Sequence, residues 1–151
     1  MIESYSSFIA SNQKRIAAFV IDDLVISMFF FLIFYEQFSA VLANISVMDE
    51  TAVATINTFI AQNLLVVLAI KLIYHTVFVW QNGMTLGKYF MKIRVIDTQT
   101  GRTPGFSKAF LRASLRIPSE VLFYLGFFMA FFMPLKQTLH DKLSNCVVVN
   151  D

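Results

Sequence analysis

Two long apolar runs decide the fold of this chain: IAAFVIDDLVISMFFFLIFYEQFSAVL (residues 16–42) and FIAQNLLVVLAIKLIYHTVFVW (residues 59–80). A helix needs about 20 mainly apolar residues to cross the hydrocarbon core of a bilayer, and each run is long enough. The stretch between them carries Asp49 and Glu50 but no lysine or arginine. The two runs therefore predict two membrane-spanning helices joined by a polar stretch, with the lipid bilayer as their first partner.

The composition agrees with an integral membrane protein. Of 151 residues, 57% are hydrophobic, 17 are phenylalanine and 15% are charged, whereas an average soluble domain is about 25% charged. The net charge of +2 is too balanced to indicate nucleic acid as the main partner. The single cysteine, Cys146, cannot form an intramolecular disulfide, and no metal-ligand spacing is present. We expect neither an enzyme nor a bound metal or cofactor.

A third apolar segment, residues 121–133, is too short to span a bilayer alone. Two β-like runs, RVID (residues 94–97) and CVVVN (residues 146–150), flank it at a distance. A lone strand is unstable, so these runs are expected to pair, which requires both on the same side of the membrane. We therefore favour a re-entrant helical hairpin with its turn at Pro118. The alternative is a simple third span.

The positions of lysine and arginine predict the orientation. Two of the twelve precede the first run, and seven lie between residues 82 and 116: Lys88, Lys92, Arg94, Arg102, Lys108, Arg112 and Arg116. Because cytoplasmic loops carry an excess of these residues, the N-terminus and this region are predicted to be cytoplasmic. Keeping Lys136 and Lys142 inside places the C-terminus there too. We expect a multi-pass protein of the bacterial inner membrane.

These elements make one predicted domain over residues 1–151. It is an all-α membrane protein with two transmembrane helices, a third, re-entrant, hydrophobic hairpin and a small cytoplasmic β pairing. Its predicted parts are spans near 16–42 and 59–80, an interfacial and cytoplasmic region over 82–106, a hairpin over 107–134 and a cytoplasmic tail over 135–151.

Acidic residues interrupt the first apolar run. Arg15 and Asp22 are seven residues apart, about two helical turns, so they share a face. An ionised carboxylate facing lipid at the depth of Asp22 or Asp23 would cost a few kcal/mol. We expect Asp22 to face protein, water or a partner instead. It is either part of an ion or proton site or half of a structural Arg–Asp pair.

The second run supplies further ionisable side chains at a similar depth. Lys71 and His75 are one turn apart and share a helix face. Together with the aspartates they have the composition of a proton relay or cation site. The alternative is that Lys71 neutralises one aspartate while His75 reaches towards the interface. The tail adds His140 and Asp141, where we expect Asp141 to accept in a helix or turn, or to pair with a cytoplasmic arginine.

Four segments together resemble the RDD family of small membrane proteins: KRIAAFVIDD (residues 14–23), GMTLGKYFMKIRVIDTQTGRTPGF (83–106), AFLRASLR (109–116) and LKQTLHDKLSNCVVV (135–149). The family is named for one arginine and two aspartates. Arg15 matches the arginine and Asp22 the first aspartate. Asp141 matches the second, with Asp23 as the alternative. We expect Arg15 and Asp141 to meet at the cytoplasmic face.

The resemblance implies transport of a small ligand, since some family members look like cation/proton antiporters. We therefore predict a small-ion transporter that exchanges a monovalent cation for protons through intramembrane Asp and Arg. Two spans and a hairpin cannot easily enclose a polar pathway in one copy, so a homo-oligomer is expected. The alternative is a non-transporting membrane adaptor or assembly factor, whose basic cytoplasmic region binds anionic lipid or a partner protein.

Overall fold

The computed structural model describes residues 8–121 and 125–151 of the chain. In chain order these residues form α1 (Asn12–Ile33), α2 (Tyr35–Ala43), α3 (Glu50–Gln62), α4 (Leu64–Asn82), α5 (Leu86–Phe90), β1 (Ile93–Asp97), α6 (Phe106–Val121), α7 (Leu125–Phe132), α8 (Leu139–Leu143) and β2 (Cys146–Asn150). The fold is thus mainly helical, as predicted, with two short strands.

Two helices, α1 and α4, are long and apolar enough to cross a membrane by length and composition. Helix α1 begins where the Ser11 hydroxyl accepts a hydrogen bond from the Lys14 backbone N–H, a common N-cap arrangement. Large apolar side chains such as Leu24 and Leu65 remain exposed on these helices. In water such a surface would be unfavourable, whereas lipid covers it without cost.

The helices divide both apolar runs at their ends away from the basic region. The first run divides at Phe34 into α1 and α2, and this bend lets Phe30, Phe34 and Phe38 pack around Phe59 with ring centroids 5.8–6.2 Å apart. The second run divides at Asn63, and α3 begins inside the predicted polar stretch, where Asp49 caps it.

The two strands pair as the sequence predicted. Strands β1 and β2 are antiparallel, with Ile93 opposite Asn150 and Asp97 opposite Cys146. An isolated bridge between Ile9 and Val149 adds the segment before α1 to the outer edge of β2. The sheet therefore joins three distant parts of the sequence and holds the start of α1 beside the tail.

The turn that the sequence predicted at Pro118 is wrong. Helix α6 continues through Pro118 to Val121. Proline removes one backbone hydrogen bond, but the helix is held on either side of it, because Arg116 and Glu120 form an ion pair of 2.7 Å across the proline. Helices α7 and α8 both pack against α6.

Candidate functional site

The first polar cluster surrounds Asp22 on α1, which is completely buried. The Tyr74 hydroxyl and the Gly87 backbone N–H both donate to its Oδ1 at 2.8 Å, and the Thr85 hydroxyl donates to its Oδ2 at 2.6 Å. The prediction that Asp22 faces protein and not lipid is therefore confirmed. We call these residues, together with Lys88, the Asp22 cluster.

Helix α5 completes this cluster because it lies directly on α1. A Cβ atom at Gly87 would stand 2.9 Å from Asp22 Oδ1 and 3.0 Å from the carbonyl carbon of Ala18. Real Cβ atoms do not approach backbone so closely, so glycine is required for this packing. The close approach is what brings the Gly87 N–H to the Asp22 carboxylate.

Lys88 is the cation of the Asp22 cluster. Its Nζ lies 3.7 Å from Asp22 Oδ2 and donates to the Thr85 hydroxyl at 3.2 Å. Burial lowers the pKa of Lys88 to about 7. The nearby Asp22 carboxylate works against this shift, whereas Arg112 and Arg116 add to it. An ammonium with this pKa gains and loses a proton near neutral pH.

The second cluster surrounds Asp141, also completely buried. Arg15 pairs with its Oδ2 and also donates to the carbonyl of Lys136. Arg112 holds its Oδ1 through Nε and an Nη nitrogen, each at 2.7 Å. The predicted contact between Arg15 and Asp141 is confirmed, as is the expectation that Asp141 pairs with an arginine. We call these residues, with Thr138, the Asp141 cluster.

Local sequence positions Asp141 for this role. Thr138 caps α8 and forms a reciprocal pair with Asp141, in which each side chain accepts from the other's backbone N–H. This capping box fixes the start of a helix only five residues long. Burial by itself would raise the pKa of Asp141, but Arg112 and Arg15 hold it well below its usual range. Asp141 is therefore a permanent anion near neutral pH.

A third group of charges centres on Lys71 of α4. Its Nζ contacts Asp23 at 2.9 Å and Glu120 at 2.8 Å, and Glu120 also pairs with Arg116. The alternative in which Lys71 neutralises an aspartate is therefore the arrangement observed, with Glu120 as a second partner. Asp23 does not meet Arg15 in this structure, so Asp141 is the aspartate that pairs with it.

The family model described as RDD family matches residues 9–145. This chain belongs to the RDD family. Comparison with curated proteins and with solved structures gives no match. In this RDD protein the arginine and the second matched aspartate are in direct contact, whereas Asp22 belongs to a separate cluster.

The two histidines of this RDD protein are both buried. The alternative in which His75 reaches the interface is wrong, because its side chain is covered by protein and only 3% exposed. Within the described residues neither ring nitrogen of His75 has a hydrogen-bond partner. Burial lowers the pKa of His140 well below its usual value, although Asp141 opposes this effect. His140 is therefore neutral at pH 7, and its Nε2 is 3.9 Å from Asp141, too far for a hydrogen bond.

Several members of these clusters were not singled out by sequence reasoning: Tyr74, Thr85, Lys88, Arg112 and Glu120. One signal was available for Thr85 and Lys88, which are three residues apart in GMTLGKY and thus share a helix face. The others lacked a comparable signal. Arg112, for example, is one of seven basic residues in its region.

Proposed function

We propose that this RDD-family membrane protein exchanges a monovalent cation for a proton. In this proposal Asp22 is the carboxylate that binds the cation, and Lys88 carries the proton. One observation supports it above the others: a buried lysine ammonium lies 3.7 Å from the buried Asp22 carboxylate, beside hydroxyl oxygens of Thr85 and Tyr74. The lysine thus occupies the place that a free cation would take.

The exchange follows from the charge of Lys88. When protonated, Lys88 neutralises Asp22 and competes with any other cation. When it loses its proton, Asp22 is left as a buried carboxylate without a counter-charge, which is strongly unfavourable. A monovalent cation then restores neutrality. Carboxylate and hydroxyl oxygens are suitable ligands for a hard cation, so admission of the cation is tied to release of the proton.

The structure also supports the topology that we propose. Because Ile9 bridges to Val149 and β1 pairs with β2, the segment between the strands must return to the side from which it left. A re-entrant hairpin made by α6 and α7 meets this requirement, whereas a single third span does not. With the positive-inside rule, both termini are then cytoplasmic in a bacterial inner membrane.

The site lies well inside α1. Asp22 is ten residues from Asn12 at the start of the helix, which corresponds to about 15 Å of helical rise. Two spanning helices cannot surround a polar path from this depth to the far side. We therefore propose that a homo-oligomer provides the remaining walls, with α1 of each copy lining the path.

Transport measurements on purified protein in liposomes test the proposal. An internal pH dye should report proton movement when Na⁺, K⁺ or Li⁺ is added, and the rate should rise as the pH increases through about 7, because Lys88 then loses its proton. Asp22→Asn should abolish exchange, and Lys88→Met should uncouple cation movement from proton movement. Lys142→Met, which removes an exposed lysine, is the control and should behave like wild type. Unchanged exchange in Asp22→Asn would refute the assignment.

The second candidate is the adaptor. It is favoured by the outer face of α5, where Tyr89 and Phe90 are largely exposed beside Lys92. Such a face suits contact with anionic lipid headgroups or a partner protein. Wild-type liposomes that respond to none of the three cations would favour this function. Tyr89→Ser with Phe90→Ser should then weaken association with anionic lipid and leave the unfolding free energy unchanged.

A further inference from the structure

A small cavity lies where the Asp22 and Asp141 clusters meet. Its volume is about 20 Å³, whereas about 10–15 Å³ is enough to hold one water molecule. Its wall includes four basic side chains, one neutral histidine and one aromatic ring: Arg15, Lys88, Arg112, Arg116, His140 and Phe19. Among the described residues, no carboxylate contributes to this wall.

The four cations are nearly removed from solvent. Side-chain exposure is 11% for Arg15, 7% for Lys88, 4% for Arg112 and 6% for Arg116. Guanidinium and ammonium groups donate hydrogen bonds and cannot accept them. A water molecule in this cavity would need acceptors for its own two hydrogens, and among the polar side chains of this wall the neutral His140 ring offers one acceptor nitrogen. An anion, which only accepts, therefore suits the wall better.

The number of charged side chains near the cavity also favours a bound anion. The ion pairs connect five cations with four carboxylates: Arg15, Lys71, Lys88, Arg112 and Arg116 with Asp22, Asp23, Glu120 and Asp141. Five positive and four negative side chains leave this group with a net charge of +1. In a buried site an uncompensated charge is costly, so a single negative charge in the cavity would be stabilising.

We propose that this cavity binds one small monovalent anion, of the size of a halide ion. The guanidinium and ammonium groups of the wall supply its hydrogen bonds, and the excess charge supplies its counter-charge. The excess charge is present while Lys88 is protonated, so the anion should bind best below about pH 7. Whether the protein also exchanges cations does not enter this argument.

Binding of radioactive chloride to the purified protein in detergent tests the proposal directly. The buffer should be held near pH 6, where Lys88 is protonated, and should contain sodium gluconate, a bulky organic anion, so that ionic strength stays constant. We expect saturable binding of one chloride per chain, displaced by bromide and not by additional gluconate. The same titration should raise the midpoint of thermal unfolding in chloride compared with gluconate. Absence of saturable binding to wild type would overturn the proposal.

Substitutions in the cavity wall test whether the anion binds in this cavity and not elsewhere on the protein. Arg116→Gln removes the excess charge while Glu120 keeps Lys71 as a partner, and chloride affinity should fall at least tenfold, which corresponds to about 1.4 kcal/mol. Arg116→Lys keeps the charge and should bind at an intermediate level. Arg102→Gln, an exposed arginine away from the cavity, should bind like wild type. If Arg116→Gln folds in gluconate and binds chloride normally, the assignment is wrong. If Arg116→Gln does not fold, chloride binding by Arg116→Lys and Arg102→Gln is compared instead. Weaker binding by Arg116→Lys supports the assignment, and equal binding contradicts it.

Discussion

Replacing Asp141 by asparagine should remove more stability than any other change of a single charge in this protein. Asparagine has nearly the same shape, so no cavity forms, but the negative charge between Arg15 and Arg112 is lost. Both guanidinium groups are buried, and breaking a buried ion pair by removing one partner costs about 3–5 kcal/mol. We therefore expect the free energy of unfolding to fall by about 3–5 kcal/mol.

A titration with sodium dodecyl sulfate in detergent micelles measures this loss. The single tryptophan, Trp80, is a convenient fluorescence reporter, because its ring packs edge-on against Phe106 at 5.5 Å. Asp151→Asn is the matched control. Asp151 pairs with Arg94 on the surface, where the two side chains remain 31% and 44% exposed. That change should cost less than about 1 kcal/mol. A loss below about 1 kcal/mol for Asp141→Asn would refute our account of the Asp141 cluster.

The pH dependence gives a second test of the same change. The folded-state pKa of Asp141 lies well below its usual value, so its contribution is fully present above the unfolded pKa of about 3.9. It is lost as the pH falls through the lower, folded-state pKa. The difference between wild type and Asp141→Asn should therefore be constant from about pH 5 to pH 8. A difference that already shrinks near pH 6 would contradict this assignment.

Four further results are expected. Arg15→Lys should lower the unfolding free energy by about 1–3 kcal/mol although it keeps the charge, because lysine cannot reproduce the planar fork of arginine; unfolding titration would show whether it does. Gly87→Ala should cost about 1–3 kcal/mol through overpacking and should slow exchange, whereas Gly105→Ala, where a Cβ meets open space, should be neutral in both assays. Cys146 is buried and burial raises its pKa, so maleimide should label it rapidly only after unfolding. Reporter fusions after residue 151 should show cytoplasmic activity, and activity typical of the outer side would restore a third span.

Much of the fold could be predicted from the sequence because it depends on local composition. The apolar runs predicted α1 and α4, and the isolated β-like runs predicted the β1–β2 pair, since each needed a partner. The ends of the helices were harder to predict from the sequence. The division at Phe34 depends on rings that gather around Phe59, and the continuation of α6 through Pro118 depends on tertiary packing that compensates for one lost hydrogen bond.

The sequence predicted the contacts of the polar site where a buried charge had to be neutralised. Burial of Asp22 followed from the cost of exposing a carboxylate to lipid, and contact of Arg15 with Asp141 followed from the family resemblance and their expected depth. The choice of further partners was not accessible. The packing of α6 against α4 and α8 determines which of seven basic residues meets Asp141. The same packing determines whether His75 is covered. The local sequence pattern does not predict that packing.

The sheet has a consequence for how this protein is made. The backbone of the segment before α1 is held by residues of β2, since the Ala10 N–H donates to the Val148 carbonyl and the Asn150 N–H donates to the Phe8 carbonyl. A ribosome synthesises α1 more than 100 residues before those partners exist. Arg15 lacks Asp141 for nearly all of that interval, whereas Asp22 gains Thr85 and Gly87 about 60 residues before β2 is made. The Asp22 cluster can therefore close before the tail exists, while the Asp141 cluster and the fixing of the segment before α1 wait for residues 138–150.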